Sequence, residues 1–200
     1  ISEGLVGSEM CIRDRLGFPG VVPLLPSSGL LACDRVGDGR MADPALIQLA
    51  AAALFSRSAE AAVAEQDWTG QRLLVTAGPT LEPIDGARVL SNKSSGRMGV
   101  LLAQAARLRG AAVDLVHGPL TLPEAWLEGL ECCPVDTAAE LEVALRQRQE
   151  SADAVVMAAA VADLRRDAVE QTKLAKLELP NVMSKGWVEV PDLLLSLIHI

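Results

Sequence analysis

Residues 88–99, RVLSNKSSGRMG, place three cations, an asparagine, three serines and two glycines at the start of an amphipathic run. Arg88 can hold a carboxylate or phosphate through two parallel hydrogen bonds, and Asn92 offers a donor and an acceptor to an acyl or phosphoryl oxygen. Ser94 and Ser95 add hydroxyls, while Gly96 and Gly99 let backbone approach a ligand at the start of a helix whose unpaired N–H groups favour an anion. The serine-glycine part alone is equally well read as a serine N-cap with a hinge glycine. Arg88 and Asn92 move the balance towards an anion site, against their plainer readings as a surface cation and a turn residue.

A second candidate loop is AAAVADLRRDAVEQTKLAK, from Ala158 onwards. Asp163 can accept from ribose hydroxyls or carry a metal ion, and Lys173 and Lys176 are mobile point charges suited to phosphate. Taken alone, the lysines read as a solvated face.

Known nucleotide fingerprints exclude themselves. A dinucleotide-binding turn is tight and carries G-x-G-x-x-G, whereas GPTLEPIDGARVLSNKSSG puts nearly twenty residues between strand and helix. No G-x-x-x-x-G-K-[ST] arrangement surrounds Lys93 either. A loop that long and without structure of its own is expected to be functional.

The elements that must position these loops follow from periodicity. Asp43 then Pro44 reads as a helix start, with a helix over 44–64, and EQDWTGQ as a linker. From residue 71 the pattern alternates: a strand over 71–77, a helix over 97–109, a strand AAVDLVH, a strand or loop LECCPV, a helix TAAELEVALRQRQ and a strand ADAVVMAA. Such alternation predicts an α/β, Rossmann-like parallel sheet with helices on both faces, whose ligands sit beyond the C-terminal strand ends. The loops after Ala77 and Ala160 are those places.

Composition narrows the ligand. The 200 residues are 50% apolar and 22% charged, with two Phe, three Trp and no Tyr, so the core is built from Ala, Leu and Val. A net charge of −8 and a scarcity of aromatic rings argue against nucleic acid and against an anionic membrane, while a small anion needs only a local cluster. No apolar run reaches the roughly 20 residues of a membrane span. Four unevenly spaced cysteines form no disulfide framework, and a cytoplasmic location is the simplest expectation. Cys132 and Cys133 are adjacent, so in a strand they face opposite ways and cannot share a metal. His117 ends a predicted strand and reads as structural.

In order and spacing, VTAGPTLEPIDGARVLSNKSSGRMG, AAAVAD and TKLAK resemble phosphopantothenoylcysteine synthetase, the phosphopantothenate–cysteine ligase of coenzyme A biosynthesis. The preceding LACDRVGDGRMADP resembles the C-terminal tail of phosphopantothenoylcysteine decarboxylase, the flavoprotein fused ahead of the synthetase in bacteria. The resemblance implies a carboxylate of 4′-phosphopantothenate activated by CTP with Mg²⁺, then coupled to L-cysteine, with the domain working as a homodimer. It assigns the acyl intermediate to Asn92 and Arg88, and nucleotide phosphate to Lys173 and Lys176 beside the Ser94, Ser95 and Gly96 turn. Met157, Ala158, Ala159 and Asp163, together with Pro191, Asp192, Leu193 and Leu194, are implied nucleotide contacts.

Cys33 aligns with the decarboxylase proton donor, although FMN is expected only in a longer parent protein. Ala175 and Val190 depart from the family's lysine and asparagine at those positions. The expected organisation is a decarboxylase tail and linker helix over 16–66, a loop-and-helix remnant, then an incomplete synthetase domain over 67–195. Residues 1–15 lack periodicity and SLIHI, 196–200, stops the chain where a helix is starting; both ends are expected to be non-native read-through. Rival expectations are a nicotinamide-dependent reductase, which would need a glycine fingerprint after RLLVTA, and a noncatalytic nucleotide-binding or dimerisation module.

Overall fold

The computed structural model describes residues 24, 26–30, 35–55 and 67–198. Cys33, residues 1–15, residues 56–66 and residues 199–200 lie outside them, whereas 196–198 of the expected foreign end 196–200 are described and helical. In chain order the elements are β1 (Ser27–Leu30), β2 (Val36–Arg40), α1 (Pro44–Phe55), β3 (Arg72–Ala77), β4 (Leu81–Asp85), β5 (Arg88–Ser91), α2 (Arg97–Leu108) and β6 (Ala112–His117). There follow a short 3-10 turn (Glu124–Leu127), β7 (Glu131–Pro134), α3 (Ala138–Arg148), β8 (Ala154–Val156), β9 (Leu164–Arg166), α4 (Leu179–Ser184), β10 (Trp187–Glu189) and α5 (Leu193–Ile198).

Four strands make one parallel sheet in the order β7-β6-β3-β8, with β3 at the centre of the register: Leu73 faces Val113 on one side and Ala154 on the other. Because strand side chains alternate, β3 feeds both layers. Leu73, Val75 and Ala77 pack with Val113, Leu115 and the buried stripe Val100, Ala103 and Ala106 of α2. Leu74 and Val116 face the opposite layer, with Leu141, Ala144 and Leu145 of α3. Leu74, Leu115, Leu141 and Leu145 are fully enclosed, and each such side chain stabilises the fold by about 1.5–3 kcal/mol. The expected α/β sheet with helices on both faces is therefore present.

Local signals explain the helix starts. The Asp43 carboxylate accepts from the Ala45 amide at 2.8 Å, capping α1. Thr137 and Glu140 form a reciprocal capping box at α3, and the buried Glu82 carboxylate adds a third partner by accepting from the Ala138 amide at 2.9 Å. No helix among the described residues is long and apolar enough to cross a membrane.

Two expectations change. The connection between β3 and α2 is not an unstructured loop: β4 and β5 form an antiparallel hairpin turning at Gly86 and Ala87. Asp85 supplies a local turn signal, its carboxylate accepting from the Ala87 amide two residues on at 2.8 Å. After β8 comes a second hairpin, β9 with β10, whose three-residue strands lie about twenty residues apart in sequence and leave no periodic trace.

Candidate functional site

The C-terminal ends of β3 and β8 are joined by two buried threonines that the sequence reading passed over. Thr76 lies on the α3 face of β3 among apolar neighbours, and its Oγ1 accepts from the Ala158 and Ala159 amides at 2.9 and 3.0 Å. Thr80 Oγ1 accepts from the Ala162 amide at 3.0 Å, and the Ala160 amide donates to the Gly78 carbonyl at 2.8 Å. A hydroxyl inside an apolar strand was the available signal, because a buried one must find a partner. These bonds draw the loop after β8 onto the loop after β3.

Asn92 closes the same junction from the far end of the hairpin. Its Nδ2 donates to the Val161 carbonyl at 2.9 Å and to the Ala160 carbonyl at 3.3 Å. Ser91 anchors the approach, its hydroxyl donating to the Thr80 carbonyl at 2.8 Å. The structure thus brings Asn92 against the AAAVAD loop.

At the start of α2, Ser94 Oγ accepts from the Gly96 amide and Ser95 Oγ from the Arg97 amide, both at 3.3 Å. The Val100 amide bonds the Gly96 carbonyl as the first helical hydrogen bond, so helix geometry leaves the Met98 and Gly99 amides without an intrahelical acceptor. The two glycines have a different purpose from the one expected. Gly96 sits at φ +76°, where a Cβ would lie 2.2 Å from Leu120 Cδ2, and a Cβ on Gly99 would lie 2.5 Å from the Thr76 carbonyl oxygen. Their close approach is to the chain itself, seating α2 on β3. Arg97, also passed over, lies over the Trp126 ring at 5.4 Å, an arrangement that favours a cation.

Arg88 has an internal partner. Its Nη1 is hydrogen-bonded to the Asp85 carboxylate and lies 3.5 Å from the Leu174 carbonyl. An internal carboxylate thus engages one nitrogen of the guanidinium for which a substrate anion was expected. Asp85 is 4% exposed. Burial pushes its carboxyl up, but the amides of Ala87 and Leu174 and the Arg88 guanidinium outweigh that and hold it below the ordinary value.

Lys173, Lys176 and Asp163 are exposed, open to a ligand in solution. Asp192 Oδ1 accepts from the Leu194 and Leu195 amides at 2.9 and 3.1 Å, so it caps α5. Leu193 is buried and packs with Leu74 and Val116, joined by the half-buried Met157 and Ala159. The side chains of Leu193, Met157 and Ala159 therefore take part in packing. Pro191 lines a cleft of about 370 Å³ with Ala138, Glu142, Arg165, Arg166 and Val190.

Larger hollows, of about 810 and 950 Å³, lie at the N-terminal strand ends around Arg72 and Glu131 and beside Met41 and Glu124. Neither contains a candidate residue. Ligands of open α/β sheets collect at the opposite, C-terminal strand ends, and the polar groups converge there. His117, with a ring nitrogen 2.8 Å from the Gly118 carbonyl, is bound into its own turn. Cys132 is exposed and Cys133 half-buried on β7, both as free thiols. No group of three or more His, Cys, Asp or Glu side chains among the described residues could hold a metal ion.

Comparison with known proteins matches residues 68–199 to the family described as DNA/pantothenate metabolism flavoprotein C-terminal domain. The chain is 43% identical over 138 residues to a cysteine/cysteine sulfinic acid decarboxylase from an unknown prokaryotic organism, a match covering 69% of this chain and 37% of that protein. It is 40% identical over 152 residues to the coenzyme A biosynthesis bifunctional protein CoaBC of Bacillus subtilis (strain 168), covering 76% and 36%. The chain thus spans little more than a third of the length of these relatives. A crystal structure of the C-terminal domain of CoaBC aligns at TM-score 0.47 and 35% identity, over 59% of this chain and 61% of that one. With the family model matching well over half its residues, the chain belongs to the DNA/pantothenate metabolism flavoprotein C-terminal domain family.

Proposed function

We propose that this domain is a phosphopantothenate–cysteine ligase acting in coenzyme A biosynthesis with CTP as the activating nucleotide. The observation that carries the reading is the contact of Asn92 with the Ala160 and Val161 carbonyls. It unites the asparagine of one loop with the backbone of the other at the strand ends where an α/β sheet receives its ligand. The kinship with proteins named for coenzyme A biosynthesis supports the same direction.

In this reading a carboxylate oxygen of 4′-phosphopantothenate attacks the α-phosphorus of CTP and the bond to pyrophosphate breaks. The cysteine amine then attacks the acyl carbon, its proton is lost, and the acyl–oxygen bond breaks to release CMP. Asn92 keeps the shorter bond to Val161 and exchanges the longer one, to Ala160, for an oxygen of the acyl-cytidylate. The Met98 and Gly99 amides at the positive end of α2, with the Ser94 and Ser95 hydroxyls, receive nucleotide phosphate. Lys173 and Lys176 approach the triphosphate from the other side, and Asp163 accepts from ribose. Mg²⁺ fits a site with no acidic cluster among the described residues, because it keeps most of its ligands on phosphate and water and needs few from protein. When bound it offsets triphosphate charge.

The main-chain amides of Ala158 and Ala159 are held by Thr76, so this segment serves the ligand through its carbonyls and shape. A homodimer completing the site belongs to the same proposal.

Pyrophosphate release by the chain supplied with 4′-phosphopantothenate, CTP, Mg²⁺ and cysteine tests this reading, with equilibrium CTP binding measured alongside. Release that requires phosphopantothenate is the expected result. CTP binding without release would identify a nucleotide-binding module, and absence of both would overturn the assignment.

A further inference from the structure

Segment 171–178 carries both candidate phosphate lysines, yet little apolar burial holds it: of these eight residues only Leu174 is half-buried and the rest are exposed. Polar contacts must therefore decide where it lies. At Leu174 both ends of the residue are engaged by the turn of the β4–β5 hairpin. The Leu174 amide donates to Asp85 Oδ2 at 3.1 Å across 89 residues of sequence, and its carbonyl faces Arg88 Nη1 at 3.5 Å.

Two further contacts belong to the same docking. Asp85 and Glu170 form a parallel β-bridge. A Cβ on Gly86 would lie 2.3 Å from the Gln171 carbonyl oxygen, so the turn has room for the segment only because position 86 is glycine.

We infer that Asp85 is a positioning residue: it docks segment 170–174 on the hairpin turn and thereby sets where Lys173 and Lys176 meet an anionic ligand. A purely local role for Asp85 accounts for the Ala87 bond at 2.8 Å, which closes its own turn. It does not account for a second bond to a residue 89 positions away, nor for an arginine that bridges the carboxylate and the Leu174 carbonyl. A carboxylate suits this task because one group accepts from three donors, and its charge strengthens each bond. Arg88 completes the clamp, which explains why its guanidinium faces inward. The ligand half of this inference rests on the nucleotide reading of the site.

The test uses the full chain, with residue-resolved amide hydrogen exchange and equilibrium binding of CTP. In Asp85→Asn the Leu174 amide should exchange at least about tenfold faster, the factor carried by one charge-assisted hydrogen bond, while the amides of Leu74, Val75 and Leu115 stay protected. The CTP dissociation constant should rise by a similar factor, and Asp85→Glu, which keeps the charge, should recover part of both effects. Gly86→Ala acts from outside the carboxylate and should produce the same pair of changes if Asp85→Asn does not fold. Unchanged Leu174 exchange in either folded variant overturns the docking. Faster exchange with unchanged CTP affinity overturns the positioning role. A wild-type chain that binds no CTP overturns the nucleotide reading and the ligand half with it, while Leu174 exchange still decides the docking.

Discussion

Asn92 Nδ2 lies 2.9 Å from the Val161 carbonyl oxygen, tying the end of the β4–β5 hairpin to the loop after β8 across 69 residues of sequence.

Asn92→Asp replaces that donor with a carboxylate facing two carbonyl oxygens and an anionic intermediate. Phosphopantothenate-dependent pyrophosphate release should fall at least about tenfold, since both repulsion and a lost hydrogen bond act on the same charge. Circular dichroism should be unchanged, because Asn92 is exposed. Wild-type turnover in this variant would remove Asn92 from the reaction.

Thr76→Val keeps the shape of the side chain and removes its hydroxyl, leaving the Ala158 and Ala159 amides without their acceptor. Leaving a buried donor unpaired costs about 1–3 kcal/mol, so the urea midpoint should drop with the slope unchanged. Thr76→Ser should restore most of the loss. A valine variant as stable as wild type would show that another group takes these amides.

Gly99→Ala introduces a Cβ 2.5 Å from the Thr76 carbonyl oxygen and 2.6 Å from Ala77 Cβ. Neither neighbour is the end of a flexible side chain, so α2 must lift from β3. Overpacking of this kind costs about 1–3 kcal/mol, even though alanine suits a helix better than glycine. Thermal denaturation should show a lower midpoint, whereas a raised midpoint would mean that α2 sits farther from the strand.

Acid should reveal Asp85. Its carboxyl lies below the ordinary value of 3.8 in the folded chain, as the donors from Ala87, Leu174 and Arg88 outweigh burial. The stability it contributes is present above that ordinary value and is lost as pH falls through the folded one. Between about pH 5 and pH 2 the urea midpoint of wild type should fall more steeply than that of Asp85→Asn. Parallel curves would show that Asp85 has equal proton affinity in both states.

How much of this was legible beforehand depended on the range of the interactions. The parallel sheet and its two helical layers could be read directly, because a strand such as β3 and an amphipathic helix such as α2 carry their burial in local periodicity. The strand ends to search followed from that order.

The tertiary structure alone decided what each polar group faces. Arg88 and Asn92 stand four residues apart in one segment, yet one turns to a buried carboxylate and the other to the AAAVAD loop. Leu193 was grouped with a ligand segment and packs in the core, while Gly96 makes room for the Leu120 side chain and Gly99 for the backbone of β3. Those outcomes depend on partners distant in sequence, such as Val161 for Asn92 and Leu74 for Leu193. A short polar side chain has no periodicity to announce its partner, and only closure of the chain around β3 and β8 brings that partner within hydrogen-bond reach.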